Sequence, residues 1–322
     1  MRSFLKRVPL PMAGLTLGLP SLGNLYKLAG WQLVGNLTGG LAALLFGLIL
    51  LKICLTPLHA AKSLQDPIIA SVSPTFSMTL MILCTYLTAW GMPVGIATVI
   101  WVLAVIIHFG LMIFFVSRHL LPQQKEWQMI YPSWFVTFVG IGVIPVTSGK
   151  FVPALGQPLF WLAFVIYVAV FPFVLHRVRT IPLPEATQPL LTIIAAPASL
   201  CLTGYLASFT HPNLAFATGM LIFAQCLYFL TLFSIRQYTR LSFYPSFAAF
   251  TFPLVISATA LTRFIAIFAS KGLVHNLLSV LQWGEWLVAS LMLIFVTGHY
   301  LNFLRLTAKT VKQAAATQEV SD

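Results

Sequence analysis

The chain has 322 residues, of which 59% are apolar and 7% charged, whereas an ordinary soluble domain carries about 25% charged residues. So few charges cannot cover a water-facing surface, so a soluble globular protein is excluded and most of the exterior must face lipid. The net charge of +12 does not point to nucleic acid, because the basic residues are scattered in ones and twos between apolar runs and form no basic arm.

The opening "MRSFLKRVPLPMAGLTLGLPSLG" starts basic and turns apolar, as a signal peptide does. Prolines interrupt its apolar part, and it reads as a first membrane helix that is retained. A crossing takes about 20 mostly apolar residues. In chain order ten segments qualify: 9–27, 36–56, 70–90, 93–116, 130–148, 154–176, 187–208, 213–235, 245–268 and 279–303. Short connections predict a single transmembrane domain, 1–308, followed by a polar tail, 309–322, that frays.

Basic residues mark one side. Arg2, Lys6 and Arg7 precede the first segment, Lys52 and Lys62 end the second, and Arg118 and Lys125 follow the fourth. Arg177 and Arg179, then Arg236 and Arg240, then Arg305, Lys309 and Lys312 follow the sixth, eighth and tenth. The other side holds Lys27, Lys150 and Lys271. The positive-inside rule then predicts a multi-pass protein of the cell (inner or plasma) membrane with both termini cytoplasmic. Trp31, Trp90, Trp283 and Trp286 fall near the predicted outer interface, as an aromatic belt would.

The odd-numbered segments each start near a proline, at Pro11, Pro67, Pro132, Pro189 and Pro245, in steps of 56, 65, 57 and 56 residues. Four carry a second proline seven to nine residues on: Pro20, Pro74, Pro197 and Pro253. The fifth segment has Gly140 at that place and Pro145 a little later. A fixed period marks a repeat, here a helical hairpin of one broken and one straight helix. Broken backbone at membrane depth is kept where it is buried in protein or lines a cavity. The predicted fold is therefore all-α and integral to the membrane: ten helices as five hairpins in a quasi-fivefold arrangement, with the inner kinked helices lining a central pore.

Little in the chain can do covalent chemistry. Of six acids, Asp66, Glu126 and Glu185 lie at segment ends, and Glu319 and Asp322 lie in the tail. Only Glu285 is inside a segment, at a depth similar to Arg263 on the preceding one, which suggests an ion pair. Arg263 is also a candidate for attracting anions at the outer mouth of a path. His108 and His299 read as hydrogen-bonded packing residues of the outer helices. Cys54, Cys84, Cys201 and Cys226 read as small packing residues. No metal site, no cofactor and no enzymatic activity are expected. Phe252, directly before the break at Pro253 on an inner helix, is the candidate for an apolar constriction that closes by dewetting. Phe138, in the matching Thr-Phe of "YPSWFVTFVG", is the second candidate for lining the pore.

The opening "LPMAGLTLGLPSLGN", "YPSWFVTFVGIG" and above all "AFTFPLVISATAL" resemble the tellurite-resistance/dicarboxylate transporter family. That family includes the TehA-like membrane proteins, the yeast malic acid permeases and the slow-type anion channels of plant guard cells. The resemblance implies a homotrimer in the bilayer with one pore per subunit, five kinked helices around it, and a gating phenylalanine that falls on Phe252. It implies an anion channel or passive transporter for small inorganic anions or dicarboxylates. The alternatives are a coupled C4-dicarboxylate carrier and a tellurite or toxic-compound exporter, both disfavoured by the scarcity of acids within the segments.

Overall fold

The computed structural model describes residues 1–121, 127–269 and 271–321. Lys125, Glu126, Asp322 and the side chain of Glu319 lie outside the described residues. The described residues form helices and no strands. The principal segments are α1 (Ala13–Leu28), α2 (Gln32–Leu55), α3 (Pro67–Ala89), α4 (Val94–Leu120) and α5 (Trp134–Lys150). They continue with α6 (Gly156–Thr180), α7 (Glu185–Ser208), α8 (Leu214–Tyr238), α9 (Pro245–Phe268) and α10 (Leu273–Ser321).

Among the described residues, eight of these are long and apolar enough to cross a membrane, two fewer than expected. The exceptions are α1, an α-helix of 16 residues carrying Asn24 and Lys27, and α5. The α5 segment is cut into Trp134–Val139, a 3-10 turn Gly140–Gly142, Val143–Thr147 and a second 3-10 turn Ser148–Lys150. α10 also departs from expectation, running unbroken through the polar tail.

Burial separates two rings. The crossing windows of α3, α7 and α9 are 72%, 83% and 78% buried, those of α2, α4, α6, α8 and α10 only 22–44%, so the odd helices are inside. Each inner helix packs on the next in the closed order α1, α3, α5, α7, α9 and back to α1. Each even helix packs on its hairpin partner and on the following inner helix, filling the groove between them. Left-handed glycines close three of the hairpin turns, Gly30, Gly91 and Gly272, where any Cβ would be strained. Asp66 starts α3 by accepting from the backbone amides of Ile68 and Ile69 (2.8 and 3.0 Å).

The inner breaks are junctions rather than prolines in mid-helix. In α7 a 3-10 stretch, Glu185–Ala195, changes to α-helix at Ala196, and in α9 Pro245–Phe250 changes to α-helix at Phe252. Pro197 and Pro253 thus occupy the first turn of a new helix, where no backbone donor is needed. Pro74 caps the second half of α3 in the same way. Pro20 alone of these stands inside a continuous α-helix. Neighbouring hydroxyls bond the carbonyls around the breaks. Thr137 donates to Ser71 O (2.8 Å), Thr192 to Ala249 O (2.7 Å), Thr251 to Gly14 O (3.0 Å) and Ser208 to Pro145 O (3.2 Å). These bonds stitch inner helix to inner helix around the ring.

Candidate functional site: a path through the inner ring

Three cavities follow one another through the ring. The first, about 440 Å³, lies at the face carrying the N-terminal helix Arg2–Arg7. Lys6, Arg7, Lys52 and His59 line it, with Asp66 the one acid among the described residues. Lys52, counted among the basic residues that end the second segment, is buried: its ammonium donates to the carbonyls of Lys6 (3.0 Å) and Val8. A cation at the C-terminal end of the Arg2–Arg7 helix favours its exposed carbonyls, which explains the burial.

The second cavity is narrow, about 60 Å³, and shares Pro11, Val72, Leu190, Pro245 and Ser246 of its lining with the first. All five inner helices contribute to it, and almost every contribution is hydrocarbon. Gly14 and Leu17 come from α1, Thr75 and Met78 from α3, Phe135 and Val139 from α5, Ile193 and Leu200 from α7, and Phe252 and Pro253 from α9. Pro197 and Gly140 also reach it. Gly140 is required there, since a Cβ would stand 2.9 Å from both the His108 ring and the Met78 sulfur.

The third cavity, about 300 Å³, lies toward the far face and is more polar, with Ser21, Asn24, Thr85, Thr147 and Thr259 in its walls. Two cations reach it, Lys27 and Arg263. The Lys27 ammonium rests 3.7 Å from the centroid of the Tyr86 ring, a cation–π contact. The Nε of Arg263 has no hydrogen-bond partner.

Among the described residues, two side chains line both the second and third cavities: Phe252 and Leu200. They are 7% and 3% exposed, and both stand where the two spaces adjoin. Leu200 packs against Gly142 of α5, where a Cβ would meet its Cγ at 2.9 Å. Sequence reasoning missed Leu200. It lies three residues after Pro197, whereas Phe252 lies one before Pro253, so the repeat does not relate them. It also missed Lys27 as a group of the path.

The remaining candidates are placed differently. Phe138 is turned toward α4, its ring 6.0 Å from Phe115 and 5.8 Å from Trp134; Phe135, Val136 and Val139 form the α5 wall instead. Among the described residues Arg263 and Glu285 form no ion pair. Glu285 is 1% exposed and faces Gln225 and Tyr228 of α8. Pro145 sits behind the path, its ring against Gly204, and Pro20 gives its carbonyl to the Tyr86 hydroxyl (2.8 Å). His108 is buried with its Nδ1 3.0 Å from the Ser77 hydroxyl, and His299 stacks on Phe243. Trp286 is not a belt residue: it is buried, and its indole N–H donates to Thr262 (3.0 Å). Cys54 and Cys226 are exposed on outer helices rather than packed.

A narrow apolar passage between two basic mouths suits anions. Cations beside such a passage raise the local concentration of anions. No curated protein matches the chain. Residues 7–301 match the family described as "SLAC1: Voltage-dependent anion channel", the same group that the sequence resembles. With that match over nearly its whole length, and an all-helical fold rich in apolar crossings, the chain belongs to the SLAC1 family of membrane anion channels and transporters.

Proposed function

We propose that this protein is a passive channel for small anions, closed at rest by Phe252 and Leu200. The observation that carries this reading is the septum: two apolar side chains stand between cavities whose other ends hold Lys6 and Arg7 on one side and Lys27 and Arg263 on the other. A ring rotation or a shift of the α9 junction wets the constriction, and anions then pass down their gradient. Arg263 concentrates anions at the mouth away from the termini. The inner-helix junctions at Pro74, Gly140, Pro197 and Pro253 hold the wall in place, and Pro20 and Pro145 shape the helices behind it. The protein works as a homotrimer in the cell membrane with both termini cytoplasmic.

A coupled dicarboxylate carrier is the second reading, favoured by one observation: Glu285 is a buried carboxyl within a membrane segment with no cation paired to it among the described residues, as a proton-binding group would be. It lies outside the residues that line the path, which favours the channel. Purified protein in liposomes, with chloride, nitrate or malate flux followed at set membrane potential and pH gradient, decides. Flux driven by potential alone is the expected result. Flux that requires a proton gradient replaces the channel with the carrier, and absence of anion flux removes both.

A further inference from the structure

A fourth cavity, about 470 Å³, lies outside the ring, between the first and second hairpins, in the half of the protein that carries the termini. Its walls are Ile49 and Ile53 of α2 and Ile107 and Leu111 of α4. Its floor is Ala13 of α1 and Phe76 of α3. The short helix Pro57–Ser63 that links the hairpins covers its end with Ala60. Ser73 brings the only hydroxyl, and that hydroxyl already donates to Ile69 O at 2.7 Å.

Water in such a space would need two to four polar partners, and the walls offer none that is free. The flanking helices show what surrounds the opening: Leu44 and Leu51 of α2 and Ile106 and Ile113 of α4 are exposed apolar side chains on helices that face lipid. The occupant is therefore hydrocarbon. The rim specifies the rest of it. Lys62 of the linking helix and Arg118 of α4 are both exposed. His119, next to Arg118, has its Nε2 3.0 Å from the carbonyl of Leu64, a lining residue, so the end of α4 is fastened beside the linking helix, with Lys62 and Arg118 each within two residues of that contact. Arg118 follows Leu111 by seven residues and lies in the π-helical end of the same segment, Val116–Leu120, farther toward the membrane surface. Asp66, the nearby acid, is engaged with its own helix amides.

We infer that this groove is a binding site for one anionic glycerophospholipid of the leaflet on the side of the termini, with an acyl chain between α2 and α4 and its phosphate against Lys62 and Arg118. The seated chain backs the pore wall: floor residues Ala13 and Phe76 are sequence neighbours of Gly14 and Thr75, which line the narrow cavity.

The test is native mass spectrometry of detergent-purified full-length protein offered equal phosphatidylglycerol and phosphatidylcholine. The parent is expected to retain one phosphatidylglycerol per chain in preference to phosphatidylcholine. The double variant Lys62→Gln, Arg118→Gln changes only exposed side chains and should lose that preference by about thirtyfold, the combined effect of two interfacial cations on one anionic lipid. Ile53→Trp with Ile107→Trp fills the groove and should abolish retention of either lipid, while Val165→Trp on the lipid-facing side of α6 should not. An unchanged lipid preference in the charge variant, or lipid still bound in the filled-groove variant, overturns the site.

Discussion

The hydroxyl of Thr192 on α7 donates at 2.7 Å to the carbonyl of Ala249 on α9, the carbonyl that Pro253, four residues later, leaves without its helical amide donor. The carbonyl at the break beside Phe252 is thus satisfied by a neighbouring inner helix. Thr192→Val should leave that buried acceptor unpaired at a cost of about 1–3 kcal/mol. Thermal unfolding in detergent should show a lower midpoint for valine and near-parental behaviour for Thr192→Ser, which keeps the donor. A valine variant as stable as the parent would show that the bond is dispensable.

The septum predicts gain of function. Phe252→Ala should raise anion flux sharply, Phe252→Leu should raise it less because an apolar plug remains, and Leu200→Ala should also raise it. If Phe252 only packs, alanine should instead cost about 3–5 kcal/mol through a cavity and leave flux unchanged. Liposome flux or electrophysiology, normalised to folded protein, distinguishes these outcomes. A well-folded Phe252→Ala protein that conducts no better than the parent removes the gate.

Arg263 and Glu285 should behave as independent residues, since they do not pair. Arg263→Ala should lower flux most at low ionic strength, where screening is weakest, with little loss of folded yield. Glu285→Gln should leave the salt dependence of flux unchanged. Equal flux per folded molecule at every salt concentration takes Arg263 out of the path, and a shared defect of the two variants would restore the ion pair.

Gly18 is the tightest contact at the α9 junction: a Cβ there would stand 2.6 Å from the Thr251 Cβ and 3.2 Å from the Phe252 amide nitrogen. Gly18→Ala should therefore destabilise by about 1–3 kcal/mol through overpacking. Gly40→Ala on α2, with nothing within 4 Å, should be neutral or stabilising. Paired thermal melts of the two variants check this, and equal midpoints would show that the junction yields freely.

Orientation is tested by labelling. With the exposed Cys54 and Cys226 replaced, Lys150→Cys should react with a membrane-impermeant reagent in intact cells and Lys312→Cys should not. The reverse pattern would invert the protein in the membrane.

The division into an inner and an outer ring was legible in the sequence because a broken helix and a straight one differ in composition. Pro74, Pro197 and Pro253 mark chain that must be enclosed, and α3, α7 and α9 are indeed the buried helices. That Phe252 lines the narrow cavity was legible for the same reason, since it abuts the break itself. Its partner Leu200 was not, nor was the outward turn of Phe138.

Composition by itself determined that this protein lives in a membrane: at 7% charge there is nothing with which to cover a soluble surface. The proline period determined which helices surround the axis. Which side chains face the axis was decided only by the tertiary structure, and the cause is helical phase. A 3-10 residue turns the chain by about 120° and an α residue by about 100°. Across the 11 residues of Glu185–Ala195 the difference therefore accumulates to roughly 220°. Beyond each junction the sequence no longer tells which face looks inward. Packing against Gly18, Gly140 and Gly142 sets it, and with it the meeting of Leu200 and Phe252 at the septum.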